Sequence, residues 1–255
     1  MKKFLALIAL SLAVSTAFAD DTTLTGKVRD FKPGPLVPGS TNPDFESGIG
    51  GVVTGLVSST LAGTAPTPIL FGAPGFITSA ASFAEWYGAA APSVPYSITL
   101  SETAPGSGIF SFASGAFFPI DGMLLGDFAF GHNYHFTYQI HATFGYTPGA
   151  GQVFSFSGDD DVWVFFDKKL GIDLGGVHGT ASSSINMDTF FGPGKAAGNY
   201  DFDFYFAERH TTESNFSIST SLNLESPPPV PEPETYALML AGLGLMRFIA
   251  RRRKV

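Results

Sequence analysis

The chain has 255 residues, a formal net charge of −8, 44% hydrophobic residues and no cysteine. Seven of its 14 basic residues sit at the two ends, which leaves seven against all 22 acidic ones, a body of about −15 that argues against nucleic acid and for cations or neutral ligands. Without disulfides, stability must come from the core, and 26 Phe supply the bulk for one domain of roughly 200 residues.

Residues 1–19 form a secretory signal: Met1-Lys2-Lys3, an apolar Phe4–Val14, and Ala17-Phe18-Ala19 as a cleavage site before Asp20. The apolar stretch is too short for a membrane span. The body, residues 20–225, follows. Thr23–Arg29 reads as a first strand. Residues 47–95 are rich in Gly, Ala, Pro and Ser and read mostly as loop, with a short helix around Phe83–Tyr87. Trp86 and Tyr87 would make a sugar-stacking platform if exposed, although Trp is more often buried.

From Tyr96 onward the pattern is β. Tyr134, Phe136, Tyr138, Ile140, Ala142, Phe144 and Tyr146 alternate with polar residues, as do Tyr200–Phe206 and Phe216–Leu224. Val162–Phe166 is an unbroken apolar run of strand length, followed by the polar turn Asp167-Lys168-Lys169 and a partner strand from Leu170. These features predict an all-β, antiparallel sandwich.

Three adjacent carboxylates, Asp159, Asp160 and Asp161, stand at the mouth of that run. Like charges so close need a cation, backbone N–H donors or full solvation. Two readings follow: a Ca²⁺ site built from hard oxygen ligands, or a capping acidic turn held by backbone amides. Neighbouring aspartates can share an ion only in a loop, since adjacent strand side chains point oppositely. Arg209, next to Glu208, is expected to pair with Glu208 or a buried Asp. His178 is expected to cap its loop or bond Asp173. His132, His135 and His141 are expected to be hydrogen-bonded strand and turn residues, because positions 135 and 141 lie ~20 Å apart along a strand. No nucleophile–base pair or phosphate loop is present, and nothing fixes the separation of Asp159–Asp161 from Glu208. The expectation is therefore no enzyme.

Residues 226–234 form a Pro-rich linker containing Pro231, Glu232 and Pro233, and residues 235–255 form a short apolar segment with a basic tail. This end resembles the PEP-CTERM sorting signal. The resemblance implies a Gram-negative bacterium, processing by exosortase, transient insertion of a short hydrophobic helix in the inner membrane, and delivery to the cell surface or extracellular matrix. Tyr236 replaces the more usual Trp, and Arg247 interrupts the span early.

The body in turn resembles the fibro-slime domain. The resemblance rests on Arg29-Asp30-Phe31, Asn42-Pro43-Asp44-Phe45-Glu46, Phe117–Gly122, His132–Thr137, Gly158–Phe165, Asp173–His178 and Phe206–Phe216. It is similar to the protective-antigen-like β-sandwich, and flocculins of that type imply Asp159 and Asp160 as calcium ligands with Asn215 adding a carbonyl. The expected function is a calcium-dependent module that binds glycans or exopolysaccharide in adhesion or biofilm. The alternative is a structural matrix protein in which calcium only stabilises the fold.

Overall fold

A computed structural model describes residues 21–34, 39, 41–63, 66–71 and 76–227. The signal segment with its Ala19–Asp20 junction, the Pro231–Pro233 motif and the C-terminal apolar segment lie outside the described residues. No helix among the described residues is long and apolar enough to cross a membrane.

Among the described residues, eleven strands and two short helices follow one another: β1 (Thr22–Asp30), α1 (Ala80–Glu85), β2 (Ser93–Glu102), β3 (Phe110–Ser114), β4 (Phe136–Tyr146), β5 (Val153–Gly158), β6 (Asp161–Phe166), β7 (Lys169–Leu174), β8 (Ala181–Asn186), α2 (Met187–Phe191), β9 (Gly198–Glu208), β10 (Phe216–Thr220) and β11 (Asn223–Glu225). Their hydrogen-bonded order is β7-β6-β9-β4-β1-β2-β3-β10-β5-β8, with β11 on β4. Strand β2 bridges the two halves. Its residues up to Leu100 pair with β1, and Ser101 and Glu102 pair with β3. The ribbon thereby folds into two sheets face to face.

Period-two alternation explains what lies between the sheets. Phe136, Tyr138, Ile140 and Phe144 of β4, Phe202, Phe204 and Phe206 of β9, and Val162, Val164 and Phe166 of β6 meet Phe154, Phe156, Phe216 and Ile218 from the second sheet. At ~25 cal/mol per Å² of apolar surface removed from water, this aromatic layer is the main driving term of the fold. The opposite face of the first sheet carries Trp163, Phe165, Tyr205 and Ala207, and these are buried too. They are covered by Phe31, Phe45, Leu56, Val57, Phe83 and Trp86. The Gly- and Pro-rich segment is therefore a cap. It also explains why all six residues of β6 are buried: a strand covered on both faces loses its alternation.

The polar turn after β6 is a two-residue hairpin in which Asp167 and Lys168 take φ of 50° and 63°, the pairing that matches strand twist. Several expectations need correction. Strand β4 starts at Phe136 rather than Tyr134, and the pattern over 216–224 is two strands, β10 and β11, broken at Ser221–Leu222. Trp86 and Tyr87 are buried at 0% and 4% exposure, so neither offers a stacking platform. Strands β3 and β8 and helix α2 were not anticipated, since Ala-Ser-Ser-Ser-Ile-Asn has little of the usual strand composition.

Asp30, at the end of β1, is fully buried and accepts hydrogen bonds from Leu125 N (2.7 Å) and Asn133 Nδ2 (2.9 Å). Burial outweighs these bonds and pushes its carboxyl up from 3.8 to about 6. A carboxyl whose folded pKa is raised binds its proton more tightly when folded, so its contribution is most favourable below the unfolded value and is lost as pH rises through 6. Asp30→Asn is therefore expected to gain stability relative to the parent between pH 4 and 7, by about 1–3 kcal/mol. Urea unfolding at the two pH values checks this, and a constant difference would refute it.

Candidate functional site

The acidic triple lies where the β5–β6 connection crosses from one sheet to the other. The last residue of β5 is Gly158, where a Cβ would stand 2.3 Å from the Asn215 carbonyl oxygen. Asp159 and Asp160 make the bend, with Asp160 in the left-handed region at φ 55°, and Asp161 opens β6.

Each carboxylate is held by nitrogen donors. Asp159 accepts from the Asn215 backbone N–H at Oδ1 and from Asn215 Nδ2 at Oδ2, the latter at 2.8 Å. Asp160 Oδ1 accepts from His178 N at 3.2 Å, and Oδ2 accepts from Arg209 N and His210 N at 2.8 and 3.1 Å. Asp161 Oδ1 accepts from Gly176 N at 2.6 Å, and Oδ2 pairs with Arg209 Nε at 2.6 Å. Adjacent carboxylates can thus be buried side by side at 3%, 3% and 0% exposure, because amide dipoles and one guanidinium offset their repulsion.

Arg209 is the centre of the assembly. It is 1% exposed, its Nη1 reaches the carbonyls of Asp44 (3.2 Å) and Phe76 (3.0 Å), and its guanidinium lies 4.8 Å from the Trp86 ring centroid. Asp44 in turn accepts from Trp86 Nε1 and Thr78 N, and Glu46 accepts from Thr211 Oγ1 and contacts His135 Nε2. The motif around residues 42–46, the acidic bend, the loop after β7 and the loop after β9 therefore form one polar knot.

A pocket of about 170 Å³ opens beside it, lined by Asp159, Asp160, His178, His210, Thr211 and Glu213 among others. The sequence-predicted residues divide here. Asp159 and Asp160 face the pocket. Asn215 turns its amide nitrogen to Asp159. Asp161 is committed to Gly176 and Arg209, away from the opening. Among the described residues no three His, Asp or Glu side chains converge at metal-binding spacing. Arg209 pairs with a buried Asp, as anticipated. His178 caps the loop through Asp160 but does not bond Asp173, which instead accepts from Gly55 N and Trp163 Nε1.

One buried carboxyl group beside the triple was not among the expected ligands. Glu208 is fully buried, and neither carboxylate oxygen has a hydrogen-bond partner among the described residues. Burial, with Asp160 and Asp159 close by, drives its carboxyl well above the usual range. Nothing in the sequence distinguishes Glu208 from a solvated glutamate except its place at the buried end of an apolar strand.

Residues 130–234 of this antiparallel sandwich match the PA14 domain model, a β-rich domain. Residues 229–254 match the PEP-CTERM protein-sorting motif, which marks an exported protein. The matched PA14 segment begins just before β4, whereas the sandwich also needs β1 between β4 and β2. The chain is similar to proteins of Dictyostelium discoideum. Protein psiQ is 41% identical over 199 residues, covering 70% of this chain and 20% of psiQ. Protein psiC is 36% identical over 241 residues, covering 86% and 44%, and protein psiD is 37% identical over 199, covering 70% and 38%. The chain spans from a fifth to under half of the length of these curated relatives.

Proposed function

We infer that this is a non-catalytic domain of the fibro-slime kind. It is delivered by exosortase to the surface or extracellular matrix of a Gram-negative bacterium, where it binds glycans or exopolysaccharide at the acidic loop. The observation that carries this reading is the pocket floored by Asp159 and Asp160 beside the orphaned Glu208. Calcium is the cofactor that suits it. The side chains are hard oxygen donors, and a carboxylate oxygen that accepts one N–H keeps a second lone pair. Asp159 and Asp160 would hold the ion, and Asn215 would join only by turning its amide over. The ion would supply an electrostatic anchor for sugar hydroxyls and offset the charge of the two aspartates. Asp161 takes no part, since Arg209 already neutralises it.

Thermal melting and a glycan array, each with 1 mM CaCl₂ or with EDTA, test both halves. Calcium at 100 times its Kd is expected to stabilise by about 2.7 kcal/mol, and Asp159→Asn should weaken that gain. Glycan binding that survives EDTA removes calcium from recognition. Calcium stabilisation without any glycan signal favours the second reading, a matrix protein whose loop is merely stiffened.

A further inference from the structure

A second polar cavity lies on the outer face of the first sheet, away from the acidic loop. It measures about 390 Å³ and is lined by Lys27 and Arg29 of β1, Gln139 and His141 of β4, Asp203 of β9, and Tyr87 of the cap. Among the described residues, Arg29 Nη1, Tyr87 OH and Asp203 Oδ2 are buried with no hydrogen-bond partner. Their side chains belong to residues only 6%, 4% and 1% exposed. A buried donor or acceptor left unmade costs about 1–3 kcal/mol, so three around one opening require an explanation. The rest of each group is fixed: Arg29 Nε donates to Gly88 O at 2.8 Å, and His141 Nδ1 meets Asp203 Oδ1 at 2.7 Å. The free atoms are thus held in place and unsatisfied.

The register sets the shape. Lys27 stands opposite Gln139, His141 opposite Asp203, and Arg29 opposite Thr137. The Arg29 and Asp203 ends are therefore four residues apart along the strands, ~13 Å at 3.3–3.4 Å per residue. One end offers an unpaired guanidinium N–H with an exposed ammonium beside it, a seat for a carboxylate. The other offers an unpaired carboxylate oxygen, which requires a hydroxyl donor, and the Gln139 amide between them can serve hydroxyls. A ligand satisfying both ends carries acid groups and hydroxyls along an extended chain longer than one ring. We propose that this cavity binds an acidic polysaccharide, a hexuronate chain, with a carboxylate at Arg29 and Lys27 and a hydroxyl donated to Asp203. The carboxylate of Asp203 disfavours a second anion at that end, which sets such a polymer apart from a polyphosphate.

This site uses none of the acidic-loop residues, so it stands or falls separately. Isothermal titration of the full chain with trigalacturonate, and with neutral maltotriose, is the test. The expected result is binding of trigalacturonate at least tenfold tighter than of maltotriose, weakened by added salt and unchanged by EDTA. Lys27→Ala, at an exposed position, should weaken it by about 2- to 5-fold, the range of an exposed charge pair. Asp203→Asn should weaken it by a similar factor. No heat with trigalacturonate overturns the proposal, as does equal affinity for maltotriose. Loss of binding in EDTA, with Lys27→Ala unaffected, also overturns it and moves the ligand to the acidic loop.

Discussion

Arg209→Met is expected to lower the unfolding free energy by about 3–5 kcal/mol, the cost of leaving a buried charge without its partner. The substitution removes the guanidinium bonded to Asp161 and frees the carbonyls of Asp44 and Phe76. Asp161 has no exposure through which to recover its hydration. The replacement is apolar and similar in length, so the loss is electrostatic rather than a matter of volume. Lys195→Ala is the contrast. Lys195 pairs with Asp167 at a partly exposed position, and its loss should cost no more than about 1 kcal/mol. Guanidinium unfolding of the two variants beside the parent measures both, and equal losses would contradict this account of the knot.

The second large effect is expected at Trp86. Trp86→Ala should cost about 3–5 kcal/mol, since it empties a fully buried site. The indole packs against Phe83 and Phe45 at centroid distances of 4.8 and 5.6 Å, and its Nε1 donates to Asp44 Oδ2 at 3.1 Å. It also forms the surface on which Arg209 rests. Groups sharing contacts do not add. The double variant Trp86→Ala/Arg209→Met should therefore lose less than the two single losses combined. Strict additivity would mean that cap and acidic loop are energetically independent.

Much of this architecture was legible where side chains alternate. Strands β4, β9 and β10 announce themselves because every second residue is aromatic or aliphatic, and the signal needs no long-range information. The acidic bend was legible as an anomaly, and the structure bears out the reading of a turn held by backbone amides, which hold Asp160 on both carboxylate oxygens. Trp86 was legible only as a large residue in a featureless segment. The cap has few strands of its own, and its apolar residues are spaced to match a sheet more than 70 positions away, as Trp86 packing on Trp163 shows. β8 was hidden for the opposite reason. Ser182 and Ser184 face outward and pair with other hydroxyls, such as Ser182 with Ser157 at 2.7 Å, and the core side carries only Ala181, Ser183 and Ile185, so no strong apolar period marks it. The cavity around Arg29 and Asp203 depends on register between strands, which no local pattern encodes.

The place of β1 has a consequence for the order in which this molecule is assembled. β1 sits mid-sheet between β2 and β4, while the cap that follows it rests on β6 and β9. Its neighbour β4 is more than 100 residues further on, and the Arg209 contact to Asp44 closes a loop of 165 residues. A chain delivered N-terminus first therefore presents its opening strand and cap long before their partners arrive. Contacts this distant in sequence make folding slow. β1 and the cap gain their partners only once β4, β6 and β9 follow, so the native sandwich closes late in the chain.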